Sequence, residues 1–508
     1  MIRRRHFLLG LGATAVAVRA RASIRRQPAV RTRSGIVTGT RRNGVNVFTG
    51  IPYAEAPSGP LRFKAPRPVR TWSGVLEAVT PAKTPPQPDD PSLPPAAPLS
   101  EDCLQLDVWA PERPGPFPVF VWIYGGGNST GSCSQPAYQG DTFARDGVVF
   151  VGINYRVGVL GFLELGGITG SADFGSGNNA IRDQVLALRW VKDNIAAFGG
   201  DPENITIGGQ SAGAWNCSTL LALPAAKGLF HRAIIASGGG DAAYTPERAG
   251  DFARLFVDKL GGSQKLQSAG IPEILQAQQQ AESDFEDFIP YRPVVDGTFL
   301  PARPIDLVRA GGARNIATLI GHTRDEYRTF LAPTQAEGII SPKWFLHLRL
   351  ADLPPLERAY QAAFPALTPG DRMLKLVSDE VLAMPTRQTA DAQAAAGAPV
   401  FYYRMNYSIP SGPFGTYSAH GIDVPLFFDH VDTAFARNVF GYSAADRPMA
   451  GRVHAAWVSF IRTGHIDQGL TGWAPYELPT RRTMMIDVAA SVVEDPERVE
   501  RSIWTKTS

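Results

Sequence analysis

The sequence has few cysteines, little net charge and no long apolar run. It holds 3 cysteines (Cys103, Cys133 and Cys217) among 508 residues, which are too few for a disulfide framework and leave at least one thiol free. No C-x-x-C pair or histidine–cysteine cluster indicates a metal site, so we expect neither a metal nor a cofactor. No apolar run reaches the roughly 18 residues of a membrane-spanning helix. These features exclude a disulfide scaffold, a zinc module and an integral membrane protein.

The first 22 residues, MIRRRHFLLGLGATAVAVRARA, are predicted to be a leader rather than part of the fold. The stretch RRHFL resembles the twin-arginine export signal, although Arg3 stands where that signal usually has serine or threonine. A short apolar run and the small residues of the final ARA fit a cleavable signal, and a disordered basic tail is the alternative. We therefore expect an exported protein, periplasmic or secreted, in which residues 23–508 form a single domain.

The positive charge of the chain belongs to this leader. Five arginines lie within residues 1–22, and without them the formal net charge changes from +3 to −2. A mature chain with this charge gives no reason to expect a nucleic-acid or anionic-membrane partner. The hydrophobic content of 44% and charged content of 19% are ordinary for a soluble globular chain.

Short β-branched apolar runs alternate with helical patterns along most of the sequence. Such an alternation predicts an α/β fold with a largely parallel sheet that helices cover on both faces. Helical patterns in residues 250–290 and 340–395 predict a cap over the carboxyl edge of the sheet. The sequence RNG predicts a hairpin turn near residues 42–44. The proline-rich residues 81–98 predict a surface loop, which either borders a site or is a solvated connector. The predicted inner strands are residues 119–124, 148–154, 205–207, 233–236, 318–320, 400–405 and 484–488.

The stretch ITIGGQSAG, residues 205–213, predicts a strand, a sharp turn and a helix with Ser211 at the apex. A serine hydroxyl is a weak nucleophile, so it must be held exposed where a base and backbone N–H groups reach it. The G-x-S-x-G pattern also occurs around Ser129, but no helical period follows that copy. We therefore assign Ser129 to a loop and Ser211 to a catalytic turn.

A serine nucleophile needs a base and an acid to orient that base. In hydrolases whose serine lies on such a strand–helix turn, the three residues follow one another along the chain in the order serine, acid, histidine. Among the eight histidines, His420 lies beside a glycine in a stretch after a late strand, which suits a base. His347 and His454 lie inside helical patterns and are predicted to be structural. For the acid, Asp325 and Glu326 are equal candidates, because both follow the strand that ends at residue 320.

Two further stretches bear on the site. Asp296 precedes a turn glycine, which favours a turn role over a catalytic one. Tyr124 and the three glycines after it form the only other glycine run that follows a central strand. Its backbone N–H groups, together with that of Ala212, could hold an oxyanion.

Seven segments resemble the type-B carboxylesterases, which include the bacterial para-nitrobenzyl esterases and, more distantly, the cholinesterases. The resemblance covers roughly residues 31–490, with the motifs in the family's order. It implies an α/β-hydrolase fold, Glu326 rather than Asp325 as the acid and His420 as the base. It also implies Gly126, Gly127 and Ala212 as the oxyanion donors. The segments are SEDCLQLDVW, FVWIYGGG, GVVFVGINYRVGVLGFL, NIAAFGGDPENITIGGQSAG, PVVDGTFLP, GHTRDEY and HGIDVPLFF.

The sequence departs from that family at four positions. Gln210 stands where the family usually has glutamate, Asn128 where it has an aromatic residue, and Asp423 where it has glutamate. Cys103 matches a half-cystine of the family whose usual upstream partner is absent here.

From these features we expect a hydrolase of small-molecule carboxylic esters that works through an acyl-enzyme, as a monomer or homodimer. The residues predicted to contact the substrate are Asn128, Trp215, Phe414 and Tyr417. Phe427 and Phe428 are further aromatic residues near the motifs. An amidase or thioesterase with the same residues, or a non-catalytic binding or adhesion protein on this fold, are the alternatives.

Overall fold

A computed structural model describes residues 27–89, 97–171, 174–287, 289–337 and 340–505. The predicted leader and residues 90–96 of the proline-rich segment lie outside these described residues. Among the described residues, no helix has both the length and the apolar character to cross a membrane.

The strands divide between one large sheet and one small sheet. Strands β1, β2 and β5 form the small sheet, and the other eleven form the large one in the order β14-β13-β12-β11-β10-β9-β7-β8-β6-β4-β3. The strands of the described residues are β1 (Ala29–Arg31), β2 (Ile36–Thr38), β3 (Thr40–Arg42), β4 (Val45–Pro52), β5 (Val75–Glu77), β6 (Gln105–Pro111), β7 (Phe117–Ile123), β8 (Val149–Ile153), β9 (Gly200–Gln210), β10 (Arg232–Ala236), β11 (Ala317–Thr323), β12 (Val400–Met405), β13 (Arg482–Ile486) and β14 (Ser491–Glu494).

The middle of the large sheet is parallel and its two edges are antiparallel. Every pairing from β8 through β7, β9, β10, β11 and β12 to β13 is parallel, whereas β14, β6, β4 and β3 pair antiparallel. These parallel strands are the seven predicted from the apolar runs, and that prediction is confirmed. All residues of β8 are buried, as expected for strands covered on both faces.

Helices cover both faces of this sheet and build a cap beside it. The helices of the described residues are α1 (Asp141–Arg145), α2 (Gly158–Phe162), α3 (Gly166–Thr169), α4 (Asn179–Asn194), α5 (Ala212–Leu221), α6 (Pro246–Leu260), α7 (Ile271–Asp284), α8 (Pro304–Arg309), α9 (Pro333–Ala336), α10 (Leu353–Ala363), α11 (Pro369–Ser378), α12 (Met384–Ala395), α13 (Val424–Phe427), α14 (Arg447–Thr463) and α15 (Arg498–Trp504). Two π-helical segments, Asp379–Ala383 and Ala436–Phe440, add to the cap.

Local turn chemistry accounts for one prediction that is confirmed and one that is wrong. The hairpin between β3 and β4 turns at Asn43 and Gly44, both with positive φ. His347 does not lie in a helix, because the buried carboxylate of Glu380 accepts hydrogen bonds from the backbone N–H groups of residues 346, 347 and 348 at 2.7 to 3.0 Å. These N–H groups therefore donate to a side chain and not to the backbone carbonyls of a helix.

The three cysteines all lie among the described residues, where each is buried and carries a free thiol. Burial raises the pKa of all three thiols, so each is held as an unreactive apolar group. Cys103, which matches a half-cystine of the family named above, is thus packed without a bridge.

Candidate active site

Ser211 lies on a strained turn between the end of β9 and the start of α5. Its backbone has φ 60° and ψ −130°, a conformation that few non-glycine residues adopt and that often marks a functional site. The close crossing of strand and helix requires glycine on both sides. A Cβ added to Gly209 would lie 2.5 Å from the backbone carbon of Gly213, and one added to Gly213 would meet the backbone oxygens of residues 123 and 124.

The second G-x-S-x-G copy forms a turn without a following helix. The backbone N–H groups of Ser129 and Thr130 both donate to the carbonyl oxygen of Gly126 at 3.0 Å. This tight turn belongs to the loop after β7, as predicted, and it leaves Ser211 as the serine at a strand–helix junction.

His420 and Glu326 come together from the loops that follow β12 and β11. Nδ1 of His420 lies 2.5 Å from Oε2 of Glu326, and the other carboxylate oxygen accepts the backbone N–H of Thr323 at 2.8 Å. Two backbone contacts fix the histidine further. Its N–H donates to the carbonyl of Glu326, and its own carbonyl accepts the hydroxyl of Thr329.

The charge of Glu326 is stabilised although the residue is fully buried. Burial by itself raises the pKa of this carboxyl, but attraction and hydrogen bonding to His420, together with His322 and Ser237, hold the pKa below its ordinary value. The carboxylate is therefore ionised at neutral pH and can stabilise an imidazolium cation.

A second buried carboxyl, Asp423, lies behind this pair. Tyr403 donates to it at 3.2 Å. Burial, reinforced by repulsion from Glu326, raises the pKa of Asp423 to about 7. Two ionised carboxylates close together in a dry interior repel each other, and the protein keeps only Glu326 charged below that pH.

The outer nitrogen of the imidazole faces a side chain next to Ser211. The amide nitrogen of Gln210 lies 3.1 Å from Nε2 of His420. A neutral imidazole that donates from Nδ1 to Glu326 has its lone pair at Nε2, so the amide of Gln210 donates to that lone pair.

Ser211 and His420 face one cavity of about 300 Å³, which Gly126 and Gly127 also line. The two glycines have φ of 103° and 62°, so the turn after β7 presents backbone rather than side chains to the cavity. The N–H of Ala212 is the first of α5 and has no partner inside the helix.

The cavity walls are apolar, and both π-helical segments contribute to them. Within the described part of the chain, no carboxylate, lysine or arginine lines the space, and His420 is its one imidazole. Such irregular helical turns are frequent at functional sites. The apolar wall residues include Trp215, Ile289, Phe330, Val381, Leu382, Val424, Phe435, Val439 and Phe440.

Comparison with known proteins identifies the family of the chain. The model of the family described as "Carboxylesterase family" matches residues 26–354 and 355–504. The chain belongs to the carboxylesterase family.

Relatives of this carboxylesterase match it over most of its length. The para-nitrobenzyl esterase of Bacillus subtilis (strain 168) is 34% identical over 488 residues, which cover 93% of this chain and 97% of the relative. A cholinesterase of Mus musculus is 41% identical over 310 residues, which cover 56% of this chain and 51% of that protein.

A solved structure extends the likeness to three dimensions. A carboxylesterase of Geobacillus stearothermophilus superposes with a TM-score of 0.81 at 38% identity, covering 94% of this chain and 99% of the other. The carboxylesterase described here therefore has the α/β-hydrolase fold, as predicted.

Only one of the four residues predicted to contact substrate lines the cavity of this carboxylesterase. Trp215 lines it, whereas Asn128, Phe414 and Tyr417 do not. Asn128 is fully buried beneath the glycine turn, Phe414 packs behind the wall against the ring of Phe440, and the ring of Tyr417 lies 3.6 Å from the guanidinium of Arg328.

Other predicted roles are settled by neighbouring contacts. Asp296 accepts the backbone N–H groups of residues 298, 299 and 300, which confirms its turn role. His454 is buried in α14, and its Nδ1 lies 2.7 Å from the carbonyl oxygen of Phe427, which confirms that it is structural. Phe427 stacks on Trp457 and Phe428 packs edge-on against Trp122, so both belong to the core.

The sequence did not identify the two π-helical walls of the cavity. Val381 and Leu382 lie between two helices, and Val439 and Phe440 end a short segment before a glycine. An apolar residue in a cap has the same local signal whether it faces a cavity or a packed neighbour, so periodicity alone does not distinguish the two.

Proposed function

We propose that this carboxylesterase hydrolyses its substrates with Ser211 as nucleophile, His420 as general base and Glu326 as the residue that orients the imidazole. The observation that carries the proposal is the 2.5 Å contact between His420 and Glu326, in a histidine that shares one cavity with Ser211. A carboxylate on Nδ1 favours the tautomer whose Nε2 is free to take a proton.

In the proposed reaction, Ser211 Oγ forms a bond to the ester carbonyl carbon while its proton passes to Nε2 of His420. The carbonyl electron pair moves to oxygen, and the N–H groups of Gly126, Gly127 and Ala212 hold that oxyanion. The oxyanion collapses and expels the alcohol, which takes the proton from Nε2 and leaves an acyl group on Ser211. Water then attacks the acyl carbon, His420 accepts its proton, and the acid leaves as Ser211 regains the proton.

One contact has to change for this sequence to start. The Gln210 amide nitrogen is within hydrogen-bond distance of the nitrogen that takes the proton. We propose that the amide turns away as the ester enters and Ser211 takes its place at Nε2. Catalytic hydrogen bonds are often long or misaligned before substrate binds, so this geometry is compatible with an active enzyme.

The cavity supports a substrate class as well as a mechanism. Its apolar walls, without a carboxylate or a cationic side chain among the described lining residues, suit uncharged esters. The name para-nitrobenzyl esterase carried by one relative supports an aryl or arylalkyl ester as a first substrate. Amides and thioesters would use the same groups and are the second candidates, to be ranked by comparing their turnover with that of the matched ester.

The remaining expectations about the chain are also proposals. We propose that residues 1–22 are removed on export to the periplasm or beyond, and that residues 23–508 act as one catalytic domain, as a monomer or homodimer. Mass spectrometry of the protein recovered outside the cytoplasm would show whether its N-terminus begins near residue 23.

The proposed nucleophile is tested by burst kinetics. With para-nitrophenyl butyrate in excess, the parent enzyme is expected to release a rapid first equivalent of nitrophenol, because so activated an ester acylates the serine faster than water hydrolyses the acyl-enzyme. Ser211→Ala should lose that burst, while Ser129→Ala, in the other G-x-S-x-G copy, should keep it. A burst that survives Ser211→Ala, or that disappears in Ser129→Ala, would show that Ser211 is not the nucleophile.

A further inference from the structure

Asn128 directly follows the glycine turn and is built into the interior. The residue is fully buried and its backbone has φ 57°, in the left-handed region that asparagine tolerates better than most residues. Its carbonyl accepts the backbone N–H of Gly158 at 2.7 Å. Its carbonyl is thus held by the start of α2, and Asn128 itself does not line the cavity.

The side-chain amide of Asn128 joins two other elements. Its nitrogen donates to the carbonyl oxygen of Tyr291 at 3.0 Å, and its oxygen accepts the amide of Asn216 at 2.9 Å. A buried amide with partners at both ends is costly to displace, since each group left unpaired would lose its hydrogen bond without gaining one to water.

These contacts connect the two sources of the proposed oxyanion donors. Gly126 and Gly127 lie immediately before Asn128, and Ala212 lies in the same helix, α5, as Asn216. The bond between Asn128 and Asn216 therefore ties the glycine turn to the helix that begins at Ala212. Alongside it, the hydroxyl of Tyr155 donates to the carbonyl of Tyr124, at the start of the turn, at 2.8 Å.

A glycine turn needs hydrogen bonds of this kind to fix its conformation. Without side chains the turn has more backbone conformations than any other sequence would give it, whereas stabilising an oxyanion requires donors already fixed at the position of the developing charge. An error of about 1 Å in such a position costs about 100-fold in rate.

We propose that Asn128 is a positioning residue, which holds the glycine turn in register with α5 through Asn216 so that N–H groups from both elements converge on one oxyanion. This inference rests on the proposed function, because it presupposes attack by Ser211 at that position. It reassigns Asn128 from substrate contact, as the sequence predicted, to the support of the catalytic backbone.

The test uses a substitution that keeps the backbone and removes the amide. Asn128→Gly retains access to positive φ, and Asn43→Gly is the matched control, since Asn43 has φ 50° in the exposed β3–β4 hairpin. We expect Asn128→Gly to lower kcat 10- to 100-fold, with KM for para-nitrophenyl butyrate changed less than threefold. The affinity for a trifluoromethyl ketone, which forms an oxyanion on the serine, should fall by a factor similar to that in kcat. Asn43→Gly should have the kcat and the ketone affinity of the parent enzyme.

A second variant covers a failure of Asn128→Gly to fold. Asn216→Ala leaves the glycine turn and Asn128 intact and removes the donor from the helix side, so it should reduce kcat and ketone affinity in the same proportion. In the double variant the two losses should not multiply, because both remove one contact. Each protein is assayed after urea titration has shown it to be folded at the assay temperature.

Two outcomes would overturn the inference. In the first, Asn128→Gly and Asn216→Ala have the same kcat and the same ketone affinity as the control variant Asn43→Gly. The other is an effect confined to KM, which would mean that Asn128 supports substrate binding instead. In either case the Ser211→Ala burst result is unaffected, whereas a burst that survives Ser211→Ala would refute the proposed function itself.

Discussion

At the scale of single residues, the turn after β11 holds two adjacent carboxylates with different surroundings. Glu326 points inward to His420, whereas Asp325 accepts the backbone N–H of Ser418 and the guanidinium of Arg324, both at 2.8 Å. The backbone explains this division, because the N–H of Asp325 donates to the carbonyl of Ser418. That contact aligns the turn with the histidine loop, so that the next side chain faces the imidazole.

This difference gives a prediction for a pair of matched variants. Glu326→Gln should lower kcat by about 10³- to 10⁴-fold, because a neutral amide neither fixes the productive tautomer nor stabilises the imidazolium. Asp325→Asn should lower kcat less than about tenfold, since it changes a partly exposed ion pair. Steady-state kinetics with para-nitrophenyl butyrate decide the matter, and similar losses in the two variants would mean that both carboxylates orient the histidine.

The same pair of residues shows which parts of the site can be predicted from the sequence and which cannot. Ser211 and His420 could be predicted from their local patterns, a strand–turn–helix junction and a glycine-flanked loop. Nothing in the residues separates Asp325 from Glu326, because both lie in one turn and have the same chemistry. A family resemblance favours Glu326 over Asp325. The physical reason is that Asp325 is held by the backbone N–H of Ser418, 93 positions away.

At the scale of elements, the junction of β9 and α5 is packed too closely for a side chain. We predict that Gly213→Ala lowers the free energy of unfolding by about 3 kcal/mol, because overpacking against fixed backbone has no easy relief. The added Cβ would meet carbonyl oxygens at the end of β7, one of them at 2.7 Å. Since the displaced helix carries Ser211 at its start, kcat should also fall.

Gly451→Ala is the control for that prediction. Gly451 lies on the exposed side of α14, where an added Cβ has no atom within 4 Å. Alanine there should stabilise the protein by about 0.5–1 kcal/mol, because it restricts the unfolded chain and favours helix. Urea titrations of both variants provide the comparison, and equal stabilities would contradict the close crossing described here.

The cap shows where element prediction from the sequence stops. Helical periodicity correctly predicted helices within residues 250–290 and 340–395, since an amphipathic stripe is a local property. It failed around His347, where a single buried carboxylate, Glu380, takes the backbone N–H groups that a helix would need. A side chain more than 30 residues away in the chain decides that structure, and no local pattern records it.

At the scale of the whole molecule, two buried carboxyls link stability to pH. Burial raises the pKa of Asp107 to about 7, and burial together with Glu326 raises that of Asp423 to about 7. Between the ordinary pKa near 3.8 and pH 7, the folded state binds protons that the unfolded chain has released. The unfolding free energy therefore decreases as pH rises through this range, by up to about 1.4 kcal/mol per pH unit for each group.

We predict that Asp107→Asn and Asp423→Asn each reduce this decline. An amide keeps an acceptor oxygen for the N–H of Gly50 or the hydroxyl of Tyr403 and removes the titration. Urea midpoints at pH 5 and pH 8 should differ less in either variant than in the parent, and Asp258→Asn, on the exposed face of α6, should keep the parental difference. An unchanged difference in both buried variants would show that other groups dominate the pH dependence.

The architecture of the whole chain was more predictable than its cavity. The parallel strands have continuous apolar runs because both of their faces are covered, and this signal lies within each strand. The antiparallel edges carry weaker patterns, since β14 is largely exposed. The cavity is lined by the glycine turn after β7, the turn that holds Ser211, the loop that holds His420 and two π-helical segments. Its shape depends on how these distant parts of the chain pack together.

The three buried thiols have a consequence for where this carboxylesterase can fold. Because no covalent bond between side chains has to form, neither glutathione nor an oxidising catalyst alters the connectivity of the native chain. The same folded state is accessible in a reducing cytoplasm and in an oxidising compartment outside it. A preparation refolded with excess reductant and one refolded without it should therefore recover the same specific activity.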